Sequence, residues 1–153
     1  MRERIMSPDE TKKDPAEYDV PHHRISIELG GQEVGYAEML YFSEPTRFFY
    51  LDFVRVKPEN RGLRLGSYIV ESVNKFLDQK KLPGVLMNII KSDEAATGIY
   101  ERHGWQTTEF DNFMIYSPRK KMPSEMVKKM VRRINGWCVK FYDNKRDEKP
   151  LAA

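Results

Sequence analysis

The chain has 153 residues, 40% of them hydrophobic and 32% charged, which is enough to bury one core and a squeeze for two. The formal net charge of +3 is unevenly placed: residues 1–118 hold 15 Lys/Arg against 19 Asp/Glu, whereas residues 119–153 hold 11 against 4. The apolar content excludes global disorder, the single cysteine Cys138 excludes an internal disulfide, and no run reaches the ~18–20 apolar residues of a membrane span.

Arg2–Met6 reads as a short strand or a frayed end. Residues 7–23, with Pro8, Pro15 and Pro21, read as an irregular arm in which His22-His23 form an exposed, inert pair. Residues 24–29 (RISIEL) alternate apolar and polar side chains, the pattern of a half-buried strand. Gly30-Gly31 offers positive φ for a hairpin, with residues 33–42 as the partner strand. Ser43–Thr46 is a turn. Residues 48–56 (FFYLDFVRV), β-branched and aromatic, form a third strand that Pro58 ends. Ile69, Val73, Phe76 and Leu77 recur at helical spacing, and Lys80, Lys81, Pro83 and Gly84 stop that helix.

Residues 85–90 (VLMNII) read as a strand covered on both faces. Ser92 is a candidate N-cap for a helix whose one face carries Ala96, Ile99, Tyr100 and His103 and which Gly104 closes. His103 there reads as packed or capping, and Trp105 as a core filler. Residues 105–110 and 112–117 form a last strand pair, and a final helix begins near Ser124. In it Met126, Val127, Met130, Val131, Ile134, Trp137, Cys138 and Phe141 make one apolar stripe among Lys128, Lys129, Arg132, Arg133 and Lys140. Asn135-Gly136 weakens or breaks it. The fold class is mixed α/β, with a right-handed parallel crossover between residues 48 and 90.

The segment Val56-Lys57-Pro58-Glu59-Asn60-Arg61-Gly62-Leu63-Arg64-Leu65-Gly66-Ser67 joins a strand to a helix. Open N–H groups at a helix start, with the helix dipole behind them, suit an anionic phosphate. Gly62 and Gly66 would let the backbone come close, and Arg61 and Arg64 add charge-assisted hydrogen bonds. No Gly-Lys-Ser/Thr follows, so this is not a Walker loop, nor is it a dinucleotide G-x-G-x-x-G. A second segment is Asp93-Glu94-Ala95-Ala96-Thr97-Gly98-Ile99-Tyr100-Glu101-Arg102-His103-Gly104-Trp105.

Together these segments resemble the GNAT superfamily of acyl-CoA-dependent N-acyltransferases. The family's loop pattern is Arg/Gln-x-x-Gly-x-Gly/Ala; Arg61 and Gly66 match it, and Arg64 replaces the middle glycine. Its second pattern is Asn-x-x-Ala-x-x-x-Tyr-x-x-x-Gly-Phe; Ala96, Tyr100 and Gly104 match, with Asp93 for Asn and Trp105 for Phe. The resemblance covers roughly residues 24–117 and implies a GNAT-like mixed central sheet. Two departures stand out. The region before residue 24 is too short for the one or two helices that usually form part of the acceptor groove. Asn88 also occupies the position where many members carry a carboxylate base.

The resemblance implies direct transfer of an acetyl group from acetyl-CoA to an amine, with no metal. An amine attacks only when deprotonated, and a lysine amine has a pKa of ~10.4 against ~8 for an α-amine. Asp52 is the first candidate to take that proton, on a strand face shared with Val54 and Val56; Glu38 and Glu59 are weaker candidates. Backbone groups of Val54, Arg55 and Val56 are implied to hold the pantetheine and the thioester carbonyl. Arg61, Gly62, Leu63, Arg64, Leu65, Gly66 and Ser67, with Asp93 and Ala96, complete the implied cofactor site. Tyr100 matches the family's general-acid tyrosine. Proton transfer from Tyr (~10) to a thiolate (~8.5) is uphill by ~2 kcal/mol, so a hydrogen bond to the leaving sulfur is the expected role.

The expected division is an N-terminal arm (1–23), an acyl-CoA-binding domain (24–117) and a basic amphipathic helix and tail (118–153). The start MRERIMSPDETKKDP has no signal-peptide core, and a reducing cytoplasm is the expected compartment. The expected partner is an amine acceptor, small or proteinaceous; the C-terminal helix is expected to fold back onto its own domain or onto a second copy of the chain and to help wall the acceptor groove. Nucleic acid and membrane are not expected, since charge alone points to them. The rival reading is a non-catalytic GNAT-like module whose basic helix contacts a partner, nucleic acid or a membrane surface.

Overall fold

A computed structural model describes residues 1–7, 20–87, 94–110 and 112–141. Its strands are β1 (Arg2–Met6), β2 (His22–Leu29), β3 (Gln32–Phe42), β4 (Phe48–Val56), β5 (Gly84–Met87), β6 (Gln106–Thr107) and β7 (Phe113–Tyr116). Its helices are α1 (Leu65–Lys80), α2 (Glu94–Arg102) and α3 (Ser124–Phe141). One seven-stranded sheet runs β1-β2-β3-β4-β5-β7-β6, antiparallel except where β4 pairs β5 in parallel across the α1 crossover.

The sheet has two buried faces. On the first, Ile25, Ile27, Ala37, Met39, Phe49 and Leu51 meet Ile69, Val73, Phe76 and Leu77 of α1, with Ile99 and Tyr100 of α2 packed alongside. That is the α1 face the sequence spacing anticipated. Close approach is enforced at Gly35: a Cβ there would stand 2.8 Å from Ile69 Cδ1 and 2.9 Å from the Arg55 carbonyl oxygen. On the second face, Leu40, Phe42, Phe48, Tyr50 and Val85 meet Val127, Met130, Val131, Ile134 and Trp137 of α3. The apolar stripe of the C-terminal helix is therefore covered by this chain's own sheet, and a dimer through that stripe finds no support.

Three expectations change. α3 runs unbroken through Asn135-Gly136; the buried flanking residues Ile134 and Trp137 hold the turn despite its weak propensity. His22 and His23 are not exposed in an arm but open β2, paired with Leu40 and Met39. His22 is buried, and the His23 ring packs edge-on against Phe49 at 5.2 Å and beside Phe76. Burial, and then Lys80, lowers the pKa of His23 below its ordinary value, and its buried Nδ1 has no hydrogen-bond partner among the described residues.

The third change lies in β4. Its register against β3 runs Met39↔Leu51 and then Glu38↔Phe53, so Asp52 is an extra residue, a β-bulge. Before it, Phe49 and Leu51 face α1; after it, Val54 and Val56 pack on that same cluster. Tyr50 belongs to the α3 cluster. The bulge thus breaks the alternation by which Asp52 was to share a face with Val54 and Val56.

Candidate active site

Among the described residues, β4 pairs β5 at Phe49↔Gly84, Tyr50↔Val85 and Leu51↔Leu86. Residues 52–56 of β4 run on beyond the last of these pairs and lead into a 3-10 turn, Pro58–Asn60, and then the loop into α1. Gly62 has φ +89 and is exposed, a conformation that favours glycine. Arg64, at the N-cap of α1, takes the left-handed conformation with φ 59 and ψ 27 and makes no side-chain cap. This explains why the family pattern has glycine there: the turn needs positive φ, and this chain meets that need with an arginine.

The first hydrogen bond of α1 runs from the Tyr68 N–H to the Arg64 carbonyl. Among the described residues, the N–H groups of Leu65, Gly66 and Ser67 have no acceptor. Three open amides at the positive end of a 16-residue helix, with the exposed Arg61 and Arg64 beside them, form an anion cradle of the kind a diphosphate fits. The cradle abuts α2. A Cβ on Gly66 would sit 3.7 Å from Ile99 Cδ1, an ordinary contact, and Ser67 Oγ lies 2.7 Å from His103 Nε2.

Tyr100 is half-buried on the α1 face, its ring centroid 6.0 Å from that of Trp105. Asp52 stands at the bulge. The Tyr50 hydroxyl is held well above its ordinary pKa by burial first and then by the charges of Asp52 and Cys138, which places Asp52 in the electrostatic reach of the α3 face. The structure thus links the loop to α2 through Gly66–Ile99 and Ser67–His103, puts Tyr100 in the α1 cluster, and leaves Asp52 at the bulge. Glu38, opposite that bulge, is buried and pairs with Arg24 at 2.9 Å. Arg24 also pairs with Glu33 at 2.5 Å and lies over the Tyr36 ring. Glu59 is exposed in the 3-10 turn. Ala96 lies within α2, while Asn88 and Asp93 lie outside the described residues.

Residues that sequence reasoning passed over lie just behind the cradle. Asn74, buried in α1, donates to the His103 carbonyl at 2.7 Å and accepts from the Trp105 indole N–H at 2.8 Å. The signal was an amide between the apolar Val73 and Phe76 on a buried helix face, where a polar group must find partners. A separate cavity of about 500 Å³, lined by Thr107, Phe110, Ile115, Lys120 and Val127 among others, contains none of the predicted site residues. No cluster of potential metal ligands occurs among the described residues.

The seven-stranded sheet, its parallel β4–β5 pair bridged by α1, has the mixed topology of a GNAT-like fold. Residues 21–107 match the family described as acetyltransferase (GNAT) domain, and the chain belongs to that family. Solved structures agree in fold. A Bacteroides thetaiotaomicron protein assigned to the GNAT acetyltransferases superposes with a TM-score of 0.61 at 17% identity, covering 93% of this chain and 99% of its own. The ribosomal-protein-S18-alanine N-acetyltransferase of Escherichia coli gives 0.57 at 17% identity, covering 79% and 97%. The PaiA N-acetyltransferase of Thermoplasma acidophilum, solved with coenzyme A, gives 0.54 at 13% identity, covering 67% and 65%. At these identities the likeness is one of fold. No curated protein matches the chain by sequence. No helix among the described residues is long and apolar enough to cross a membrane.

Proposed function

We propose that this chain is an N-acetyltransferase that moves an acetyl group from acetyl-CoA directly to an amine. In this reading residues 24–117 form the acyl-CoA-binding unit, and the C-terminal helix is an addition that walls the acceptor side. The open amides of Leu65, Gly66 and Ser67 carry the proposal, because a helix start left without acceptors and flanked by Arg61 and Arg64 is suited to the diphosphate of that substrate.

Acetyl-CoA supplies an activated acyl group, whose carbonyl carbon bonds to the amine nitrogen as its bond to sulfur breaks. The chain's own groups do the rest. Backbone groups of Val54, Arg55 and Val56, past the bulge, hold the pantetheine arm and aim an N–H at the developing oxyanion. Asp52, on the α3 side, accepts the proton of the amine, directly or through water. Tyr100, on the α1 side, donates a hydrogen bond to the departing sulfur. In this reading cofactor and acceptor approach from opposite faces of the sheet and meet at the end of β4.

The test is incubation with acetyl-CoA and a panel of amines (a peptide α-amine, a lysine side chain, a polyamine), reading free thiol. Turnover is expected with at least one amine. Asp52→Asn should cut it about 100-fold while CoA still binds. Arg61→Glu should weaken CoA binding by tenfold or more, since a charge-assisted contact becomes a repulsion. Calorimetry showing that the folded protein does not bind CoA would overturn the proposal.

A further inference from the structure

The start of α1 and the end of α2 are joined by a chain of hydrogen bonds that ends in the cradle. Trp105 Nε1 donates to Asn74 Oδ1, Asn74 Nδ2 donates to the His103 carbonyl, and His103 Nε2 lies 2.7 Å from Ser67 Oγ. Trp105 is 2% exposed and Asn74 9%, so the far end is fixed in the core. Ser67, at the near end, also owns one of the three open amides.

A serine hydroxyl has one proton to give. When that proton goes to His103 Nε2, Ser67 offers a phosphate nothing but lone pairs. When His103 carries the hydrogen on Nε2 and donates it, the Ser67 proton is left to point at the anion. A diphosphate, an acceptor only, selects the second arrangement. We propose that His103 is a positioning residue for acyl-CoA: its Nε2–H orients the Ser67 hydroxyl so that Ser67 donates to the diphosphate. This rests on the acyl-CoA site proposed above.

The link to Asn74 uses the His103 backbone carbonyl, so side-chain replacement leaves it in place. CoA binding to the full chain is measured by calorimetry for wild type, Ser67→Ala, His103→Phe and the double variant, with melting temperature as a fold check. Each single change should weaken binding about tenfold, and the double change should weaken it no further. His103→Gln, which keeps an N–H donor, should recover most of the loss. In ¹⁵N-labelled protein, CoA should draw the His103 ring to the Nε2–H tautomer. Single variants with wild-type affinity, or losses that multiply in the double variant, would overturn the proposal while leaving the acyl-CoA site standing. A folded wild type that does not bind CoA would overturn both.

Discussion

The two faces of the sheet are covered by helices held in different ways. On the α1 face, aliphatic and aromatic packing, Phe49 against Phe76 included, is combined with part-buried and buried polar links, Ser67 to His103 and Asn74 to both His103 and Trp105. On the α3 face Val127, Met130, Val131 and Ile134 pack beside Trp137, which lies against Phe42 and Tyr50 with ring centroids at 6.4 and 6.5 Å; the Arg133 guanidinium sits over Phe42, and Ser124 donates to Glu109 at the exposed helix start. Hydrogen bonds fix distances to a few tenths of an ångström, whereas apolar contact fixes burial and tolerates sliding. The polar links of the buried Asn74 stand on the α1 face, where the diphosphate cradle is proposed, whereas the α3 cover is buried mainly through apolar contact.

Breaking the wall should give the largest effect. Trp137 is 1% exposed, and Trp137→Ala should cost about 3–5 kcal/mol in urea unfolding, while the CoA affinity of the folded fraction stays unchanged. A matching loss of affinity would show that the faces are not separable. On the other face, Tyr100→Phe should lower kcat about tenfold with CoA affinity nearly constant, because only a transition-state contact is lost. An unchanged kcat, with chemistry shown to limit the rate, would reduce Tyr100 to packing.

Arg64→Gly sharpens the contrast between stability and binding on the α1 face. Removing a non-glycine residue at φ 59 should stabilise the fold by about 1 kcal/mol, yet weaken CoA binding by removing a cation. A drop in melting temperature would contradict the strain. The smallest effect concerns His23, held neutral in the folded state by burial and then by Lys80. Below its ordinary pKa of 6.5 the unfolded chain binds the proton first, so stability falls as pH drops from 6.5 through the lower folded value. His23→Leu should flatten that part of the pH–stability curve, measured by thermal unfolding, and an equal slope in both proteins would absolve His23.

Much of this was legible in the sequence, for physical reasons. Alternation in RISIEL, helical spacing in α1 and Gly62 at positive φ each reflect a local requirement that one residue type meets best. The pair His22-His23 was misread because its neighbours are polar, while its burial is decided by pairing with Met39 and Leu40 from a distant part of the chain. Asn135-Gly136 was given too much weight, since tertiary burial of Ile134 and Trp137 overrides a local preference. His103 reads in the sequence as packed or capping because its partner, Ser67, is 36 residues away. The bulge at Asp52 carried no glycine to announce it.

That one extra residue acts on β4 as a frameshift acts on a reading frame. Up to Leu51 odd positions face α1; from Val54 onward even positions do. A single strand can thereby keep Phe49 and Leu51 under α1 and still deliver Val54 and Val56 to the same side, with Asp52 freed from the count. Deleting one residue here would therefore not shorten the strand so much as retranslate its last residues onto the wrong side. When β4 is aligned to a relative that lacks the extra residue, every inside and outside assignment from residue 53 to residue 56 inverts unless a gap is opened at Asp52.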